Sequence, residues 1–128
     1  MIQKVGQIMV YVNDQDKAAQ FWTEIMGFRI IADRDKEEEH RGIEIGPANG
    51  AETSIMLYNK DFVARMSPGV TLGTPSLMFI SDQFDQLHAN LKEKEIKVGD
   101  IVQLPGGRVF NFADFEDNYF AVMESNEA

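Results

Sequence analysis

Residues 5–12 (Val-Gly-Gln-Ile-Met-Val-Tyr-Val) form a short run rich in β-branched, aromatic and apolar side chains, which predicts a buried strand. Asn13 and Asp14 follow as N-cap candidates. Ala18, Phe21, Trp22, Ile25 and Met26 then recur at +3, +4, +7 and +8, the spacing of one apolar helix face. Gly27 is placed to close that helix. Strands are predicted over 28–32, 39–46 and 52–58, with turns at 33–39 and 46–50. The first half therefore reads β-α-β-β-β.

The stretch 59–75 is irregular, carries Pro68, Gly69, Gly73 and Pro75, and reads as a connector with a short helical turn near 62–66. The pattern then starts again. Residues 76–81 predict a strand, Asp82 a cap, and Phe84, Leu87, His88 and Leu91 one face of a second helix. Three strands follow over 96–104, 108–113 and 118–124, with turns at 105–107 and 114–117. A shift of 68 lays Met9–Asp14 on Leu77–Asp82, and a shift of 67 lays Arg41 on Arg108. Half a chain of this size buries its own sheet poorly, so a tandem repeat makes physical sense. The expected fold is α+β: two tandem βαβββ modules forming a curved, partly open eight-stranded mixed sheet or barrel. Module 1 covers about 4–58, the connector 59–75 and module 2 about 76–125.

Composition narrows the partners. The net charge is −9, from 12 basic and 21 acidic residues, and no Lys/Arg run stands out, so a nucleic-acid partner is not expected. No apolar stretch is long enough to span a membrane, so no membrane partner is expected. The first residues lack a secretory h-region, and a cytoplasmic location is expected. With no Cys, disulfides, thiolate metal sites and Cys nucleophiles are excluded.

The run Val12-Asn13-Asp14-Gln15-Asp16-Lys17-Ala18-Ala19-Gln20-Phe21-Trp22, followed by Met26-Gly27-Phe28, resembles the opening of the vicinal oxygen chelate superfamily, which includes glyoxalase I, extradiol dioxygenases and bleomycin-resistance proteins. The tail Asp114-Phe115-Glu116-Asp117-Asn118-Tyr119-Phe120 is similar to a degraded copy of that family's DPDGN turn. The resemblance implies a divalent metal held by four side chains, two His or Gln on the first strand of each module and two Glu on the last. Those positions fall at Gln7, at Pro75, at Ala121, and at Ser54 or Ile55. Proline and alanine offer no donor, and an amide with a hydroxyl cannot offset the dehydration of a hard divalent ion. No metal and no other cofactor is therefore expected.

Other constellations have an ordinary structural reading beside a functional one. His40 and Glu44, four apart, would share a strand face and could begin a relocated metal site, or be two solvent-facing polar residues. His88 reads as a residue at the core edge. If the former ligand positions face a cavity, alternation brings Gln7, Met9 and Tyr11, Leu77 and Phe79, and Ala121 and Met123 to its wall, leaving Ile8, Val10 and Val12 under the helix. Arg108, like Arg41, would grip an anionic group on a ligand or pair with a surface carboxylate. This wall suits a small apolar or aromatic organic molecule. The expected function is a bleomycin-resistance-like, metal-free binding protein that sequesters its ligand as a homodimer, with no catalytic residue assigned. The alternatives are a glyoxalase-like lyase or isomerase with relocated ligands or metal-free acid–base chemistry, and a structural or regulatory dimer without a ligand.

Overall fold

A computed structural model of the chain describes residues 1–125. The chain divides after Pro75 into two compact units, each a βαβββ module. The first unit runs β1 (Gln7–Val12), α1 (Gln15–Gln20), a π-helical turn (Phe21–Ile25), β2 (Phe28–Ala32), β3 (Gly42–Pro47), β4 (Ser54–Asn59) and α2 (Lys60–Met66). The second runs β5 (Met78–Ser81), α3 (Phe84–Glu93), β6 (Val102–Leu104), β7 (Gly107–Ala113) and β8 (Tyr119–Glu124). The strands form two four-stranded mixed sheets, ordered β1-β4-β3-β2 and β5-β8-β7-β6. In each, the first strand runs parallel to the last and the other pairs are antiparallel.

In the first unit the alternation is clean. Val10 and Val12, Ile43 and Ile45, and Ile55 and Leu57 are buried on one face, beneath Ala18, Ala19, Phe21 and Trp22. The π-turn carries two consecutive, fully buried aromatic rings, with the Met26 amide donating to the Phe21 carbonyl at 3.2 Å. Gly27, at φ +77°, then reverses the chain into β2. Asp14 caps α1 by accepting from the Lys17 amide. Arg41 ties the unit's loops together. Its guanidinium donates twice to Asp33, at 2.9 and 2.8 Å, and once to Asp16, at 2.9 Å.

In the second unit Phe110, Phe112, Phe120 and Val122 are buried with Phe84 and Leu91 of α3. Arg108 repeats the clamp of Arg41, donating to Asp85 at 3.0 and 2.8 Å and to Glu124 at 3.1 and 2.8 Å. Asp114 holds the turn before β8, accepting at 2.9 Å from the amides of Glu116 and Asn118 and from the Asn118 side chain.

Three local expectations change. Asp82 does not cap α3; Gln83 occupies the cap position, its amide held at 3.1 Å by the Ser81 hydroxyl. The strand expected from 96 begins at Val102, because pairing around Gly99 is reduced to a single bridge between Val98 and Phe112. The strand expected from 39 begins at Gly42, because residues 38–41 close a turn in which the Arg41 amide donates to the Glu38 carbonyl.

Candidate functional site

Each sheet has one face buried beneath its helix and an opposite face that is more open. On the first sheet, Gln7, Met9 and Tyr11 stand directly beside Ser54, Met56 and Tyr58, and Gly42 and Glu44 stand beside Tyr58 and Met56. Val10 and Val12 are fully buried on the other side, as expected. The open face is therefore a layer of thioether and aromatic side chains with three polar groups, Gln7, Glu44 and Ser54. The Ser54 hydroxyl donates to Glu44 Oε2 at 2.7 Å. Gly42 makes room for this layer. A methyl group there would lie 2.7 Å from Tyr58 Cε1 and 2.8 Å from Met56 Cε.

The second sheet corrects a register. Phe79 lies beside the buried Val122, and its ring packs against Phe112 and Phe120 at centroid distances of 6.5 and 6.1 Å. It therefore belongs to the helix-covered face, whereas Met78 and Ile80, 47% and 63% exposed, share the open face with Ala121 and Met123. The shift relating β1 to β5 is 69, not 68: Val10 corresponds to Phe79, the cap Asp14 to the cap Gln83, and the clamp carboxylate Asp16 to Asp85. The segment Leu-Met-Phe-Ile is apolar at every position, so alternation could not place it. Turning a strand over by one residue exchanges its faces.

With the register corrected, the positions beside each other in the first unit (Gln7, Glu44, Ser54, Met56) correspond to Ser76, Asn111, Tyr119 and Ala121 in the second. A concavity of about 310 Å³ lies at this place, lined by Ser76, Leu77, Asn111, Tyr119, Phe120 and Ala121. Of the positions the sequence suggested, Leu77 and Ala121 line this concavity; Ser76, Asn111 and Tyr119, which also line it, were not among them. Tyr119 was legible, since it alternates with Ala121 and Met123 along β8.

The donor set does not fit a divalent metal. Ile55 is buried on the helix-covered face, so the position on β4 falls to Ser54 or Met56, and the position on β5 moves from Pro75 to Ser76. The result is neutral oxygens and, nearby, one carboxylate. Among the described residues no three His, Cys, Asp or Glu side chains converge. His40 precedes β3, is exposed, and lies 3.6 Å from Asp35, so it does not share a strand face with Glu44. His88 sits at the core edge, 2.8 Å from the Gly99 carbonyl and edge-on to Phe110. The Arg108 guanidinium is committed to Asp85 and Glu124 and lies over the Phe84 ring.

The sequence pattern of the glyoxalase/bleomycin resistance protein/dioxygenase superfamily fits residues 4–121, nearly the whole chain. The chain belongs to this superfamily. It is 34% identical over 125 residues to the protein YetH of Bacillus subtilis (strain 168), covering 97% of this chain and 100% of that one. Its fold is similar to that of TnmS3, an antibiotic binding protein from Streptomyces sp. CB03234, with a TM-score of 0.81, 30% identity and 98% of each chain covered. It is also similar to a lactoylglutathione lyase from Agrobacterium tumefaciens, with a TM-score of 0.76 over 97% of this chain and 95% of that one. At 16% identity, that likeness concerns the fold alone.

Proposed function

We propose that this superfamily member is a metal-free binding protein that sequesters a small apolar or aromatic organic molecule, acting as a homodimer in the cytoplasm. The observation that carries this reading is the open face of the first sheet. Around Gln7 and Ser54, where the family resemblance implies metal ligands, this chain presents Met9, Tyr11, Met56 and Tyr58 with a few neutral or singly charged polar groups. Apolar and aromatic walls with sparse polar groups are the chemistry of small-molecule sites. The concavity on the second sheet and the similarity to an antibiotic binding protein support the same reading. Gln7, Met9 and Tyr11 on the first unit, and Leu77, Ala121 and Met123 on the second, are the residues proposed to offer ligand contacts. Phe79 backs the second sheet from its core side. Arg108 holds α3 to the end of β8 and would contact a ligand anion only by giving up two carboxylates.

Dimerisation is proposed because β1, β2, β5 and β6 are all sheet edges, and exposed edges with apolar residues such as Ile80 call for cover. The test combines three measurements on purified protein. Elemental analysis should find no stoichiometric Zn, Ni, Mn or Fe. Thermal denaturation against a panel of aromatic drugs and metabolites should show stabilisation by some of them, since a ligand of the folded state raises its stability. Light scattering on a sizing column should give twice the chain mass. A bound metal together with turnover of a hemithioacetal would overturn the proposal in favour of a glyoxalase-like lyase. A panel without any shift would leave the structural dimer.

A further inference from the structure

Glu44 is the one charged group among the eight corresponding positions on the two open faces; its counterpart in the second unit is the neutral Asn111. It lies on an inner strand, beside Met56 and diagonal to Tyr58 and Ser54. Ser54 is only 7% exposed, and its hydroxyl donates to Glu44 Oε2, which fixes the carboxylate's orientation. Among the described residues the second oxygen, Oε1, accepts no hydrogen bond from the protein.

We propose that Glu44 is the polar anchor of the ligand site: its carboxylate accepts a hydrogen bond from a hydroxyl or protonated amine carried by an otherwise apolar molecule. This rests on the small-molecule-binding reading above and adds the ligand's chemistry. A molecule that covers the Met9–Met56–Tyr58 layer strips water from the carboxylate. A ligand with a donor replaces that water; one without a donor leaves a charged oxygen unsatisfied, and the penalty falls on its affinity. Sites built around such an acceptor reject analogues that lack the donor far more strongly than apolar pockets reject small changes of shape. A ligand that offers a carboxylate at this point is repelled.

The experiment measures binding of 2-naphthol, 2-naphthylmethylamine, 2-methoxynaphthalene and 2-naphthoate to the full chain by calorimetry. The methyl signals of Met9 and Met56 are followed by NMR to locate the probes. The naphthol or the amine is expected to bind about tenfold or more tighter than the methoxy compound, and the naphthoate most weakly. Preference for the amine that fades with salt identifies a cationic donor; preference for the naphthol identifies a neutral one. Glu44→Gln retains a partner for the Ser54 hydroxyl, so the fold should melt as in the parent. It should cut the preference to less than about threefold, with the methoxy affinity little changed. If the probes bind and shift the two methionines but show no donor preference, or if the variant keeps it, the role of Glu44 is overturned and the binding reading stands. If no probe binds, both fall.

Discussion

The two arginine clamps are a matched pair in one molecule, and replacing each by methionine tests how burial sets the worth of an ion pair. In the first unit the side chains of Arg41 and Asp33 are 13% and 9% exposed, and the guanidinium meets Asp33 through two parallel hydrogen bonds. In the second, Arg108 and Glu124 are 32% and 30% exposed and Asp85 is 70% exposed. Arg41→Met strands a largely buried carboxylate. Breaking a fully buried pair costs about 3–5 kcal/mol, and this pair keeps some contact with water, so a loss of about 2–3 kcal/mol is expected. At a urea slope of roughly 1.5–2 kcal/mol/M, the unfolding midpoint should fall by about 1–2 M. Arg108→Met should cost distinctly less, because water already screens its partners. The assay is urea denaturation followed by fluorescence of the single tryptophan, Trp22, which lies in the same unit as Arg41, and by far-ultraviolet circular dichroism for both units. Acid gives a second check. The hydrogen bonds from Arg41 hold the Asp33 carboxyl below the ordinary aspartate value, against the opposing effect of burial. Its contribution is therefore complete above about pH 4, where the unfolded carboxyl is ionised, and is lost as pH falls through the lower folded value. The gap between parent and Arg41→Met should be flat from pH 7 to 5 and close below about pH 4. Equal losses for the two variants, or a gap that persists into strong acid, would refute the reasoning.

Three further outcomes follow from the same geometry. Tyr11→Ala, which removes a half-buried ring from the open face, should weaken any ligand found in the thermal screen by about tenfold while the sizing-column mass stays unchanged; an unchanged affinity would mean the ligand sits elsewhere. Gly42→Ala should cost about 1–2 kcal/mol by driving Tyr58 and Met56 outward, and should also alter ligand affinity; denaturation and titration of one preparation read both. Asp114→Ala removes the acceptor of three hydrogen bonds in the turn before β8 and should cost about 2 kcal/mol, because the buried amide of Asn118 loses its partner. A neutral result in denaturation would count against that role.

The repeated architecture was legible because each module opens with a marked contrast. In β1, Gln7, Met9 and Tyr11 differ enough from Ile8, Val10 and Val12 for the faces to sort themselves, and Asp14 and Gly27 bracket the helix as cap and terminator. The second module lacks those cues. Leu77 to Ile80 offers no polar position, and Asp82, the obvious cap by composition, is displaced by one residue when Ser81 takes the amide of Gln83. Sequence alignment of the halves matched chemistry to chemistry, Asp14 to Asp82. The fold matches burial to burial, which carries Asp14 onto Gln83 and Val10 onto Phe79. The clamp shows the cost of that choice: only the second register pairs Asp16 with Asp85, the two carboxylates that hold corresponding arginines.

The same one-residue correction decides how the site is read. In the first register the second module offers Pro75 and a wall of Leu77 and Phe79, which is apolar throughout. In the second it offers Ser76, Asn111 and Tyr119, with Leu77, around a concavity, at the places corresponding to Gln7, Glu44 and Ser54. Each half therefore presents neutral hydrogen-bonding groups at corresponding places, and only the first adds a carboxylate. A surface with no polar task would be free to fill both places with hydrocarbon, since a buried polar group without a partner costs free energy. Retaining a serine-held glutamate among methionines and tyrosines makes physical sense when something with a hydrogen to donate is bound there.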